Sequence, residues 1–306
     1  MPEKLPTQFL TLLAVFVGGL IVFHWLERFA PVIPGHKTGP RRRGYFADII
    51  ATLVDGPVLG SLTKLVAAYI VMLMPQHHDW LDRWHWAAQF GVFFLVNDFG
   101  RYWLHRWYHE SDFLWRFHRV HHTVVDMDAL STFRVHAGEA VIKYGILILP
   151  FHVLGVDRWV TVVYSSFDML KGFWHHANLR TYIGRLNLLF NSAEQHWWHH
   201  SVEARGQRAN YGSILSIWDR LFGTFFWPRG QWPDRIGVTG MDGFPDDYPR
   251  QFVSMIYTDD QVQRKFGDGP EAGRGMAEDD SGRLESPPAE APASNFPEAA
   301  MARQGN

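Results

Sequence analysis

No cysteine occurs in this chain. That absence excludes disulfides, thiolate zinc sites, iron–sulfur clusters and thiol nucleophiles together, so any metal must be held by His, Asp, Glu or backbone. Strong charge is missing too. The formal net charge of −2 gives no global attraction to nucleic acid and no steering field. There is no glycine-rich phosphate loop, no internal repeat and no "HPGG"-like haem stretch. Large apolar residues are almost absent from about Phe266 onward, where "GDGPEAGRGMAEDDSGRLESPPAEAPASNFPEAA" reads as a disordered tail, 266–306. Such a segment buries too little surface to offset its chain entropy. The slightly negative mean hydropathy of the whole chain therefore understates how apolar residues 1–265 are.

Those residues are rich in histidine and aromatics: the chain has 17 His, 14 Trp and 23 Phe. "FLTLLAVFVGGLIVFHWL", residues 9–26, predicts a membrane span, since a span needs roughly 20 apolar residues and no signal-peptide cleavage site follows. Lys37 and the run Arg41, Arg42, Arg43 then place the next loop on the cytoplasmic side. A second span is expected over 47–74, broken at Asp55-Gly56-Pro57, and a third over 86–104. Residues 140–174, with a tight "VD" turn at 156–157, read as a helical hairpin that goes out, or part-way out, and returns. By parity every histidine-rich segment lies on the cytoplasmic side. The expectation is an all-α fold: polytopic membrane helices, about three full spans plus a hairpin, carrying a cytoplasmic histidine-rich helical cap.

Four histidine groups stand out: "HRWYH" (His105, His109), "HRVHH" (His118, His121, His122), "HHAN" (His175, His176) and "HWWHH" (His196, His199, His200). Positions i, i+3 and i+4 share a helix face, so two histidines of such a group can share one metal while the third reaches another. Nine or ten imidazoles exceed what one ion takes and suit two. Imidazole alone does not name the metal. Without metal, so many clustered imidazoles would be desolvated at a net loss or would repel when protonated. His24, His36, His77, His78, His85 and His152 lack such spacing and are read as non-ligands.

The order HxxxH, HxxHH, HAN, HxxHH, preceded by "NDFGRYWL" and followed by "NYGSILSIWDRLFGTF" at 210–225, resembles the fatty acid hydroxylase/sterol desaturase superfamily over roughly residues 90–227. The resemblance implies a membrane oxidoreductase with two iron ions, O2 as co-substrate, and a lipid, sterol-like or fatty acyl, hydroxylated or desaturated at a C–H bond. By motif position it puts ligand roles on His105, His109, His118, His121, His122, His176, His196, His199 and His200. Relatives of the 2-hydroxylase type have a further histidine just before the third group. Here Lys171 and Gly172 stand there, which makes His175 the candidate tenth ligand or leaves the place to water. Electrons must come from outside, from a ferredoxin or a cytochrome b5-like chain.

Supporting roles fall on Asp98, two turns before His105 and placed to orient an imidazole, on Asn178, on Asp219 of "WDR", and on His136 of "FRVHAGE", a stretch that also holds Arg134 and Glu139 and resembles a family "R.HP.E" motif with Ala137 in the proline's place. Trp197 and Trp198 read as site wall and membrane anchor. The location implied is a bacterial inner membrane. Two alternatives from other classes use the same histidines: a membrane metal-binding or transport protein, for which the hairpin offers only Lys143, Asp168 and Lys171 as polar lining, and an inactive scaffold of a lipid pathway.

Overall fold

The apolar run at the N-terminus forms helix α1, Lys4–Leu26, in a computed structural model that describes residues 4–54, 69, 81–241 and 243–266. The fold is all-helical, with two isolated bridges and no strand among the described residues. Helix α2 is Tyr45–Val54 and α3 is Trp86–Glu110, 25 residues long. Then come α4, Asp112–His122, α5, Ala137–Leu154, α6, Arg158–His176, and the short α7, Ala193–His199. Further short helices at Tyr248–Ser254 and Asp259–Phe266 close the described chain.

Local chemistry sets these boundaries. The Ser111 hydroxyl accepts from Leu114 N at the start of α4, and the Asp157 carboxylate accepts from Trp159 N, 2.7 Å, at the start of α6. Gly155, with φ of 64°, ends α5 in the left-handed conformation that glycine adopts freely. Ser192 and Gln195 form a reciprocal capping box that starts α7. That box decides where the last histidine group begins its turn.

Helix α3 is the central post, against which α4, α5 and α6 all pack, while α1 lies along α6. Phe16, Leu20 and Phe23 of α1 meet Phe173 of α6. The outward faces are apolar: Phe9, Leu13, Val17 and Ile21 of α1, Leu95 and Phe99 of α3, and Val163 and Phe167 of α6 are all exposed. Among the described residues α1 alone is long and apolar enough to cross a membrane, over Thr7–Leu26. Polar residues that α3 turns inward, Asn97, Asp98 and Arg101, lower its average hydropathy. Only residues 45–54 and Tyr69 of the expected second span and its approach are described, and the tail beyond 266, with His77 and His78, lies outside the described residues.

A buried ionic lattice ties the loop after α1 to the core. Arg42 pairs with Asp48 at 2.6 Å and with Asp128 at 2.8 Å, and Arg134 pairs with Asp48 at 2.9 Å. Gly44, φ 71°, must be glycine, because a Cβ there would occupy the place of the Arg134 guanidinium.

Candidate metal centre

Helix ends deliver the histidines. The C-terminal turns of α3, α4, α6 and α7 converge, and nine imidazoles form two groups, each with donor atoms within 4.8 Å of one another. His105, His109, His118, His122 and His199 make the first; His121, His176, His196 and His200 make the second. Each HxxHH segment divides in the same way. Its i and i+4 members, His118 with His122 and His196 with His200, stay together, while the i+3 member, His121 or His199, crosses to the other group. The two doublets therefore straddle both groups, and the rings of His122 and His200 stack at 4.4 Å where the groups meet.

Second partners fix which nitrogen faces inward. His105 Nδ1 lies 2.9 Å from Tyr211 O, His121 Nδ1 3.0 Å from Arg134 O, His176 Nδ1 2.9 Å from Gly172 O, and His199 Nδ1 2.7 Å from Ala209 O. A carbonyl only accepts, so each Nδ1 carries the proton and each Nε2 presents a lone pair. Yet His121 Nε2 and His176 Nε2 stand 3.2 Å apart. Two bare lone pairs at that distance repel unless a cation lies between them. A proton is a poor candidate, since burial holds His121 well below its ordinary value. His105 and His118 repeat the close approach, their Nε2 atoms 3.1 Å apart, with Glu139 Oε1 3.0 Å from His118 Nδ1. Buried His109 Nε2 and His199 Nε2 have no hydrogen-bond partner at all. A metal ion resolves each of these. Donors about 2.1 Å from one ion and roughly at right angles stand about 3 Å apart, whereas tetrahedral donors stand about 3.4 Å apart, and five donors exceed a tetrahedral set.

The other sequence-derived candidates sit elsewhere. His175 belongs to neither group; its Nε2 meets Asn191 O at 2.9 Å. Asp98 reaches no imidazole, contrary to expectation. Its carboxylate accepts from Ile214 N, Leu215 N and Trp218 Nε1, which spends both oxygens on the 214–218 segment. Asp219 accepts from Tyr211 N and Gly212 N and so holds the loop whose carbonyls orient His105 and His199. His136 caps α5, accepting from Gly138 N and lying 2.7 Å from Phe252 O. Asn178 Oδ1 accepts from Val32 N and Ile33 N, tying down the turn after α1. Trp197 and Trp198 are both buried, Trp197 against Val32, Met127 and Ile236, so neither serves as a membrane anchor.

Sequence reasoning missed the carbonyls at 209 and 211. The one signal for them is Asn210, the only described non-glycine residue with positive φ, 58°. Asparagine tolerates this region, and its side chain donates to Gln195 O and Phe226 O while accepting from Phe226 N. Asn210→Ala is expected to destabilise the protein by about 2–4 kcal/mol through these lost bonds and the unfavourable backbone. It should also loosen His105 and His199 together, read as a lower melting temperature and reduced metal retention on dialysis.

A cavity of about 310 Å³ opens onto both groups, lined by His105 and His118 of the first and His121, His176 and His196 of the second. Residues 90–224 match the fatty acid hydroxylase family model. An ornithine lipid hydroxylase from Rhizobium tropici is 32% identical over 74% of this chain and 70% of its own length. The chain belongs to the fatty acid hydroxylase family. As a member it is a lipid-oxidising oxidoreductase, and its histidine clusters fit the family's iron chemistry. Alkylglycerol monooxygenases are similar as well: the Danio rerio protein at 30% identity over 73% of this chain, and the human protein at 32% over 48%. The chain spans 49% and 32% of those two proteins. No solved structure matches the chain.

Proposed function

We propose that this fatty acid hydroxylase family member inserts one oxygen atom of O2 into a C–H bond of a membrane lipid at a pair of iron ions held by the nine clustered histidines. The observation that carries the reading is the opposed bare Nε2 atoms of His121 and His176, with the close approach repeated at His105 and His118, beside a cavity that reaches both groups. Bound iron would supply the activation of O2 and of an unreactive C–H bond, which no side chain here can provide. Five histidines would hold one ion and four the other. The chain's own part is to fix tautomers through carbonyls, to wall the cavity with Leu104, Phe133 and Met169, and to exclude water. Hydroxylation is favoured over desaturation because the relatives above are named hydroxylase and monooxygenase.

In the same reading, three spans and the α5–α6 hairpin sit in a bacterial inner membrane, with the metal centre on the cytoplasmic side. Residues 1–265 form the catalytic domain. A ferredoxin or cytochrome b5-like chain delivers electrons. Membranes from a deletion strain and its complement, compared by lipid mass spectrometry, should differ by one oxygen in one lipid class. The label should appear from 18O2. Identical lipid profiles in the two strains would overturn the assignment. A transport function is less well supported, since the polar residues of the hairpin line a cavity at the metal centre.

A further inference from the structure

Five charged side chains line the cavity beside the histidines: Arg101, Lys143, Lys171, Asp168 and Glu139. Two of the three cations have no hydrogen-bonded or ion-paired partner among the described residues, and the carboxylates near them, Asp168 and Glu139, are already engaged by Arg101 and His118. Arg101 Nη1 is paired with Asp168 Oδ1 at 2.5 Å, and Glu139 is turned to His118. Among the described residues Lys143 and Lys171 make neither a hydrogen bond nor an ion pair, although both are partly buried. Amines held out of bulk water without a hydrogen-bonded anion of their own are unfavourable, and such residues within membrane helices mark functional positions.

Their placement is regular. Arg101 lies four residues before His105 on α3. Lys171 lies four before His175 and five before His176 on α6. Lys143 lies four after Glu139 on α5, which runs away from the centre. Four residues are one turn, about 6 Å along a helix axis. Three helices thus each set one cation about a turn from the imidazole layer, around one cavity. With every side chain ionised, the set is one positive charge in excess over its carboxylates, and the two lysines line one cavity from α5 and α6.

Resting on the oxidative reading above, we infer that Lys143 and Lys171 bind the oxyanion of the lipid substrate, a carboxylate or phosphate monoester or diester, and so bring a carbon only a few bonds from that polar end to the metal centre. Arg101 stays committed to Asp168 and stiffens the wall from which Lys171 projects. Binding a headgroup oxyanion adds charge-assisted hydrogen bonds to two amines that otherwise have none.

Binding to the purified full-length protein in nonionic detergent tests this. The probes are single-chain amphiphiles of equal chain length ending in carboxylate, phosphate monoester or hydroxyl. Expected is about tenfold or tighter binding of the two anions over the alcohol. Lys143→Met with Lys171→Met should abolish that preference while leaving alcohol binding unchanged, which also shows that the variant folds. Lys143→Arg with Lys171→Arg should keep it. Inorganic phosphate at the same concentrations should compete weakly, which separates a lipid headgroup from a free anion; full competition would overturn the headgroup assignment. Equal affinity for anion and alcohol, or an undiminished preference in the Met variant, would overturn the proposal. Where an accepted amphiphile is oxidised, new oxygen at the far end of its chain would also overturn it. Anion-selective binding without any O2 consumption would instead count against the oxidative function and leave the headgroup site standing.

Discussion

His199→Ala combined with His200→Ala is expected to strip the protein of both metal ions, whereas His118→Ala combined with His122→Ala should spare one. Both changes remove two imidazoles, so a mere count of lost ligands predicts equal damage. The partition does not. His199 stands in the five-histidine group and His200 in the four-histidine group, so the first change takes a donor from each. His118 and His122 both belong to the first group, and their loss leaves the second with all four donors. Metal analysis after purification in iron-supplemented medium should give about two ions per chain in the parent protein, about one in the 118/122 variant and close to none in the 199/200 variant. Turnover should fall about a thousandfold or more in both variants, because on the proposed reading the two ions would act as a unit. Equal metal content in the two variants would mean that the grouping is wrong.

That each HxxHH group would divide two to one was legible before any coordinates; which member crosses, and which group takes His105, His109 and His176, was not. The clustering of the nine histidines was legible because each group is confined to one or two helical turns. What was not legible runs through long-range backbone contacts. Nothing around Asp98 signals that its carboxylate will be used 116 residues later by Ile214, or that Asn210 will turn two carbonyls onto imidazoles on different helices. Trp197 looks like an interface residue because its neighbours are histidines. The fold buries it because α7 is only seven residues long and lies inside the core. Span count suffers from a related ambiguity. Helices that carry polar residues inward and exposed apolar residues outward, as α3 does, score as only moderately apolar by average hydropathy.

Acid should unfold the metal-free protein well before it disturbs an ordinary helical one. Burial, reinforced by neighbouring imidazoles, holds His121, His122, His196 and His200 well below their usual value and brings His199 down to about 3. In the unfolded chain each returns to about 6.5. Between those values the unfolded state takes up protons that the folded state refuses, so stability falls as pH drops through about 6.5 and is independent of these groups above about 7. For His199 the loss is about 2 kcal/mol at pH 5. Asp219 opposes this: burial pushes its carboxyl up to about 7, so it contributes stability at low pH that is lost as pH rises through that value. Glu27, pushed up to about 8 by burial, and buried Asp98 act in the same sense as Asp219, but the buried imidazoles that act the other way outnumber them. Chelator-treated protein in detergent should therefore show a melting temperature that stays level or rises slightly from pH 8 to about 7 and drops steeply below about 6.5. His199→Gln, which removes one titrating ring, should be more stable than the parent at pH 5 and no more stable at pH 8. Iron should raise the curve most at neutral pH, since protons compete for the same Nε2 lone pairs. A melting temperature that stays constant down to pH 5 in the metal-free protein would show that the imidazoles are solvated, and the opposed Nε2 pairs would then need no metal between them.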